Sequence, residues 1–299
     1  MTALEKREIS FARIVSTLMH RPTPLACCVL IPPLEFKLLR QAVLRYLEQS
    51  LPISSSTDVL HRLVRDRDQI LTITPGGIVV PKRNSVLEYN LVARTFAEIV
   101  GGMIGPLIGS WHIPPNVRVK YEDIPPKQLT RARPSERPHS DAWAGESPQS
   151  VTVHIPLFGD TVGNYVRIYA PPRDFEESWL VPLDSDDVEE VAQYETELAS
   201  RYSLVNFKCP LGSALFLDAA LMHASTRLLP CSVRVSIEAP FVWFDAEQKP
   251  WLSRANEHAP PSVLLGLGAT HLLYFGDDQK VHRQTTSLQH VANLRVVRL

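Results

Sequence analysis

Short runs of alternating apolar and polar residues fill the middle of this chain, with proline, glycine and aspartate between most of them. The runs cover residues 150–157, 164–170, 214–218 and 233–244. A period of two places the apolar side chains of a strand on one face and the polar ones on the other. Many short strands separated by turn residues are typical of a β-barrel or β-sandwich. We therefore predict a mainly β fold.

Helices are predicted to flank this β region, most of them on its N-terminal side. Apolar residues recur at three- and four-residue intervals, the period of an amphipathic helix. A strand is predicted at residues 116–121. The predicted helices cover residues 36–47, 58–70, 87–104 and 186–202.

A single domain is expected to span residues 1–299. Its helical N-terminal part would cover about residues 1–110, its β core about 111–245 and a C-terminal extension about 246–299. The residues 125–138 are rich in proline and arginine and are predicted to form a loop.

Composition excludes several classes of partner. The net charge is −1, so no overall field attracts nucleic acid or an anionic membrane. No segment approaches the roughly 20 apolar residues of a membrane-spanning helix. The four cysteines show no framework spacing, and a reduced, cytoplasmic protein without a signal peptide is expected. A small-molecule substrate fits a neutral chain of this size, and the oligomeric state is left open.

Two histidines and one carboxylate form a candidate metal site. His139 and Asp141 share a face if their segment is extended, and His223 is predicted near the end of a buried strand that starts after Gly212. This set of ligands is what a non-haem Fe(II) site with open positions needs. The alternatives are a capping aspartate beside a surface histidine, and a core histidine that hydrogen-bonds to the backbone.

An arginine follows on a strictly alternating strand. Arg234, Ser236 and Glu238 share one face of that strand. An arginine inside a barrel is costly unless an anion pairs with it, and a carboxylate fits its planar fork best. Ser236 could add one hydrogen bond to that carboxylate. Alternatively, this face of the strand is exposed to water.

These residues resemble the Fe(II)/2-oxoglutarate-dependent oxygenases, and their context resembles the phytanoyl-CoA dioxygenase-like branch. The resemblance covers the motifs at 139–141, 151–157 and 163–169, the distal His223 and the Arg-x-Ser at 234–236, within about residues 110–245. The chain departs from the family at Ala170-Pro171-Pro172, where the family often has a Pro-Gly-Ser-His phrase.

The resemblance implies a double-stranded β-helix core, the jelly-roll or cupin-like fold. It implies that His139, Asp141 and His223 bind Fe(II), and that Arg234, helped by Ser236, holds the distal carboxylate of 2-oxoglutarate. Dioxygen would be the cosubstrate. The implied reaction is hydroxylation of a small metabolite, such as a natural product or sugar derivative, with release of succinate and CO2. Desaturation, ring formation and epimerisation stay open, whereas Asp141 argues against a halogenase.

Four further residues are candidates around this site. Thr152 and His154 share a strand face, so Thr152 is predicted to line the cofactor cavity and His154 to contact substrate. Asn164 is predicted either to hydrogen-bond 2-oxoglutarate or to turn the chain. Trp143 either shapes the substrate pocket beside the metal or packs in a loop.

Two other functions remain open. A cupin-like enzyme could use its metal without 2-oxoglutarate, as an isomerase or a dioxygenase, with Arg234 in contact with substrate. A jelly-roll binding protein without enzymatic activity is the second alternative.

Overall fold

A computed structural model describes most of the chain up to residue 243 and three later strands. The described residues are 1–14, 20–51, 58–104, 108–113, 115–124, 135–144, 146–183, 185, 187–243, 263–266, 271–275 and 281–285. For residues 13–14, 108–113, 188, 242–243 and the last three ranges, only the backbone is described.

Five helices are present in this part of the chain: α1 (Ala3–Ile14), α2 (Pro33–Ser50), α3 (Val59–Arg65), α4 (Val86–Ile104) and α5 (Val188–Ser200). The predictions at 36–47, 87–104 and 186–202 correspond to α2, α4 and α5. The predicted helix at 58–70 is shorter, because α3 ends at Arg65 and a separate 3-10 turn follows at Arg67–Gln69.

Local chemistry accounts for where these helices begin. Pro33 occupies the first position of α2, where a missing N–H costs nothing. The side chain of Asp187 accepts hydrogen bonds from the N–H groups of Glu189 and Glu190 at the start of α5. Helices α2 and α4 pack together through Tyr46 and Tyr89, whose ring centroids are 5.1 Å apart.

The strands are antiparallel throughout. They are β1 (His20–Thr23), β2 (Ala26–Leu30), β3 (Ile108–Ile113), β4 (Asn116–Lys120), β5 (Ser150–Gly159), β6 (Asn164–Ala170), β7 (Ser203–Val205), β8 (Ser213–Asp218), β9 (Met222–Arg227), β10 (Arg234–Trp243), β11 (Val263–Gly266), β12 (His271–Phe275) and β13 (Val281–Thr285). The fold is thus mainly β with helices, as predicted.

Two sheets dominate the molecule. The main sheet has the order β1-β2-β8-β5-β10-β3-β11, and β4 also pairs with β10. The smaller sheet has the order β7-β6-β9. Strands β12 and β13 pair with each other. Most of the predicted extension at 246–299, and residues 125–134 of the predicted loop, lie outside the described residues.

The N-terminal part is not purely helical, which corrects the prediction. Residues 20–30 form β1 and β2, and β2 pairs with β8 from Ala26 opposite Leu217 to Leu30 opposite Ser213. The apolar side chains of Ala26, Cys27 and Cys28 are buried. Their backbone groups need partners once buried, and the free edge of β8 supplies them.

The core of the main sheet consists of the inward residues of β5, β8 and β10. Phe216 and Phe241 meet edge to face with centroids 6.4 Å apart, and Val153 and Ile237 are fully buried. Burying one such side chain stabilises the fold by about 1.5–3 kcal/mol. Among the described residues, no helix has the length and apolar composition needed to cross a membrane.

Candidate metal centre

The three predicted metal ligands come together. One ligand atom from each of His139, Asp141 and His223 lies within 4.8 Å of the other two. The two imidazole centroids are 4.5 Å apart, and His223 Nε2 lies 3.6 Å from Asp141 Oδ1. All three side chains are half-buried. Two imidazoles and one carboxylate at this spacing can bind a divalent transition metal through one face, which leaves other positions open.

A backbone bridge between the two histidines builds this geometry. The N–H of His139 donates to the carbonyl of His223 at 3.1 Å, and the N–H of His223 donates back at 2.9 Å. Between the ligands, the buried Ser140 hydroxyl donates to the Ala219 carbonyl at 2.7 Å. Asp141 then begins a 3-10 turn, Asp141–Ala144. The segment is therefore extended only at His139, and the turn directs the carboxylate.

His223 reaches the site from the smaller sheet, which corrects the predicted position at the end of the strand after Gly212. That strand, β8, ends at Asp218, and His223 is the second residue of β9. The Asp218 carboxylate accepts the N–H of Ala220 at 2.8 Å, and its carbonyl accepts the N–H of Leu221 at 2.9 Å. This tight turn carries the chain from one sheet to the other.

Two hydrogen bonds orient the ligands. His139 Nδ1 lies 2.8 Å from the Arg137 carbonyl, so Nδ1 carries the proton and Nε2 is free for a metal. Burial, together with the neighbouring His223, lowers the pKa of His139 to about 4. Neutral imidazole is the form that binds metal. Thr152 Oγ1 donates to Asp141 Oδ2 at 2.5 Å, which leaves Oδ1 on the side of His223.

The guanidinium of Arg234 is buried in the same region without a bonded anion. Arg234 is 1% exposed and lines the cavity that contains the three ligands. Burial lowers its pKa to about 10, although Glu238 partly compensates. In the part of the chain that is described, neither Arg234 Nε nor the buried Ser236 Oγ has a hydrogen-bond partner. Burying a cation and a hydroxyl without hydrogen-bond partners costs free energy, and an anionic ligand bound to both would recover it.

The cavity is small, with a volume of about 180 Å³, and most of its lining residues are of polar or charged types. Its lining residues are Asn116, Arg118, Ser135, His139, Asp141, Ala144, Glu146, Thr152, Val166, His223, Ser225, Arg234, Glu238 and Pro240. They come from both sheets, so the cavity lies where the sheets face each other.

An ion pair inside this cavity was not predicted from the sequence. Arg118 Nε donates to Glu238 Oε1 at 2.7 Å, Nη2 bonds the same oxygen, and Nη1 donates to the Gly76 carbonyl at 2.9 Å. Burial opposes ionisation of Glu238, but the charge and hydrogen bond of Arg118, together with the neighbouring His154 and His223, outweigh it and lower the pKa of Glu238 to about 2. The alternation of residues 116–121 and 233–238 was the available signal, since it places Arg118 and Glu238 on the same face of neighbouring strands.

Of the two candidates on β5, Thr152 and His154, only Thr152 lines the cavity. Thr152 lines the cavity but bonds a ligand carboxylate. His154 is 4% exposed and does not line the cavity. Both of its ring nitrogens lack a partner among the described residues, and burial, then the charge of Arg234, lowers its pKa to about 3.

The side chains of Trp143 and Asn164 donate hydrogen bonds to backbone carbonyls. The buried indole of Trp143 donates to the Trp179 carbonyl at 2.7 Å. Asn164 Nδ2 donates to the carbonyls of Lys120 at 2.9 Å and Ser232 at 3.1 Å. Neither residue lines the cavity. The packing of Trp143 agrees with its alternative interpretation, and the substrate contact of Trp143 and the cofactor contact of Asn164 stay predictions.

Several solved structures are similar to this chain at low sequence identity. No protein-family model matches it, and no curated protein gives a significant match. The similar structures include the non-haem, α-ketoglutarate-dependent epimerase SnoN from nogalamycin biosynthesis, with 16% identity, coverage of 86% of this chain and 90% of that one, and a TM-score of 0.39.

Two further structures are similar over most of their length. AviO1 from Streptomyces viridochromogenes Tue57 has 15% identity, coverage of 76% of this chain and 92% of that one, and a TM-score of 0.41. EctD from S. alaskensis, solved with 2-oxoglutarate and 5-hydroxyectoine, has 15% identity, coverage of 85% and 84%, and a TM-score of 0.42. The carbocyclase SnoK from nogalamycin biosynthesis, which like SnoN is described as non-haem and α-ketoglutarate-dependent, is also similar, with 14% identity, coverage of 89% of this chain and 95% of that one, and a TM-score of 0.40.

Proposed function

We propose that this chain is a non-haem Fe(II)/2-oxoglutarate-dependent oxygenase that acts on a small molecule. One observation carries the proposal: Arg234, a buried arginine to which no anion of the described residues is bonded, lines the same cavity as the His139, Asp141 and His223 cluster. A metal site alone would fit many enzymes. A metal site with an unpaired cation beside it fits a cosubstrate that has both a chelating group and a second carboxylate.

The three ligands suit Fe(II). Their nitrogen and oxygen donors match the two-histidine, one-carboxylate set of non-haem iron sites. The partners of His139 and Asp141 are of the kind that orient metal ligands. When bound, Fe(II), 2-oxoglutarate and dioxygen supply the oxidising chemistry, with succinate and CO2 as coproducts.

Arg234 and Ser236 suit the distal carboxylate of 2-oxoglutarate. Both are buried on β10, and the guanidinium can form two parallel hydrogen bonds to a carboxylate. The anion would remove the cost of the buried, unpaired charge. The role of Arg234 is therefore to bind and orient the cosubstrate relative to the metal.

The architecture agrees with this function. Two antiparallel sheets that face each other across a ligand-lined cavity support a double-stranded β-helix core. We propose that this core and the helices make one catalytic domain. Its cytoplasmic location remains part of the proposal.

The substrate is proposed to be a small, polar metabolite that is hydroxylated, such as a natural product or sugar derivative. The cavity is small, and Arg118 and Glu238 provide charged groups that can hydrogen-bond a substrate. Similar structures include an epimerase and a carbocyclase. A product heavier by one oxygen atom, about 16 Da, distinguishes hydroxylation from those outcomes.

Anaerobic titration tests the proposal. Adding Fe(II) and then 2-oxoglutarate to the full-length protein should give a weak charge-transfer band in the visible. The band should be absent in Asp141→Ala and retained in the matched surface variant Asp174→Ala, whose carboxylate pairs with an exposed arginine. Tight metal binding without the band would favour the cupin-like enzyme, and no metal binding would favour the binding protein.

A further inference from the structure

Two cysteine thiols that are far apart in sequence meet beside the start of β8. Cys28 Sγ and Cys209 Sγ are 3.5 Å apart, although 181 positions separate the residues. Neither lines the metal cavity. We propose that Cys28 and Cys209 form a reversible disulfide, which makes them a thiol-oxidation site that takes a small peroxide as its oxidant.

The surrounding structure allows the two sulfur atoms to approach to the length of a disulfide bond. Cys28 is held on β2, opposite His20 of β1 and Leu215 of β8. Cys209 lies in residues 206–212, which form neither helix nor strand. A disulfide bond is about 2.0 Å long, so the sulfurs must approach by roughly 1.5 Å. Because one partner is fixed and the other is on an irregular segment, this approach needs no rearrangement of the sheet.

The contact between the thiols also sets which sulfur reacts first. The hydrogen bond with Cys209 lowers the pKa of Cys28 despite burial, and the same bond raises the pKa of Cys209. The thiolate is the reactive form of cysteine. Cys209 Sγ also lies 3.6 Å from the Ser213 carbonyl, which can only accept a hydrogen bond and so favours the protonated Cys209 thiol. Cys28 therefore attacks the oxidant, and the half-buried Cys209 is the resolving thiol.

The chemistry is a two-electron oxidation. The Cys28 thiolate attacks one oxygen of hydrogen peroxide, the O–O bond breaks, and the departing hydroxide takes a proton to become water. The sulfur of Cys209 then attacks the Cys28 sulfenic acid. The S–O bond breaks, and the thiol proton leaves with that oxygen as a second water. Two thiols and one peroxide thus give one disulfide and two waters.

The other two cysteines lack this arrangement. Cys27 is fully buried on the opposite side of β2, where burial raises its pKa and its thiol bonds the Phe216 backbone. Cys231 Sγ lies 3.8 Å from the Glu122 carbonyl. These two residues therefore serve as controls within the same chain.

Limiting hydrogen peroxide added to the full-length protein tests the proposal. The intact mass should fall by about 2 Da, the two hydrogens that are lost. Free thiols, counted after unfolding, should fall from four to two. A peptide that links Cys28 to Cys209 should appear, and dithiothreitol should reverse all three changes.

Variants separate this site from other oxidation. Cys231→Ser and Asp141→Ala should form the same linked peptide, the latter because the reaction does not need iron. Cys209→Ser should instead gain about 16 Da at Cys28 as sulfenic acid. A linkage through Cys27 or Cys231, oxygen adducts without any linkage in the wild type, four remaining thiols, or a linkage that requires Asp141 would each overturn the proposal.

Discussion

His223 Nε2 lies 3.6 Å from Asp141 Oδ1, although the two residues belong to different layers of the molecule. His223 is on β9 of the smaller sheet, and Asp141 is tied to β5 of the main sheet through Thr152. The contact exists only because the turn after β8 moves the chain from one sheet to the other. A metal bound to both side chains would therefore link the two sheets in addition to its proposed role in catalysis.

Removing the hydroxyl that supports Asp141 should weaken metal binding. Thr152→Val keeps the side-chain shape but loses the 2.5 Å hydrogen bond to Asp141 Oδ2. Loss of such a supporting contact costs about 10–100-fold in metal affinity. Fe(II) titration under anaerobic conditions measures it. Thr95→Val, which alters an exposed hydroxyl bonded to the Leu91 carbonyl, should bind metal like the wild type. Unchanged affinity in Thr152→Val would contradict the orienting role.

Replacing Arg234 should separate binding of the cosubstrate from binding of the metal. Arg234→Met should raise the Kd for 2-oxoglutarate by an amount equivalent to about 2–5 kcal/mol, because a buried charge-assisted contact is lost. Fe(II) affinity should stay within a few-fold of wild type. Isothermal titration with each ligand measures both. Arg201→Met removes an arginine that is paired with Asp174 near the surface and should change neither. An equal loss of both affinities in Arg234→Met would contradict the assignment.

The same substitution should stabilise the ligand-free protein. Arg234 is buried with no bonded anion in the described part of the chain, and an apolar residue of similar length removes that desolvation cost. The free energy of unfolding of apo Arg234→Met should exceed that of the wild type by about 1–3 kcal/mol. Saturating 2-oxoglutarate with metal should shrink this difference, since only the wild type gains a partner for its charge. Denaturant unfolding with and without ligands provides the measurement.

Acid should destabilise the fold through His154. Burial, then the charge of Arg234, lowers the folded pKa of His154 to about 3, and an unfolded histidine titrates near pH 6.5. The unfolded state binds the proton first, so this contribution is complete above about pH 6.5 and is lost as pH falls toward 3.

His154→Leu should therefore reduce the pH dependence of stability in that window, where a single histidine contributes at most about 1.4 kcal/mol per pH unit. Unfolding free energies measured from pH 7 to pH 4 test this. His61→Leu, the same substitution at an exposed histidine, is the matched control. An unaltered slope in His154→Leu would show that other groups, such as Glu238, account for the acid sensitivity.

Local patterns in the sequence determined much of the secondary structure. The alternation at residues 164–170 and 214–218 predicted β6 and nearly all of β8, and the helical spacing predicted α2 and α4. The residue types also indicated the chemistry of the site. Two histidines and an aspartate are common metal ligands, and an arginine commonly binds a carboxylate. These features depend on neighbours within a few positions.

Only the tertiary structure decided which groups meet. The pairing of β2 with β8, the position of His223 on the second sheet and the ion pair of Arg118 with Glu238 each depend on register between distant segments. The contacts of Trp143 and Asn164 with backbone carbonyls have the same origin. A sequence pattern determines which face of a strand a side chain occupies, but the packing of sheets determines what lies opposite that face.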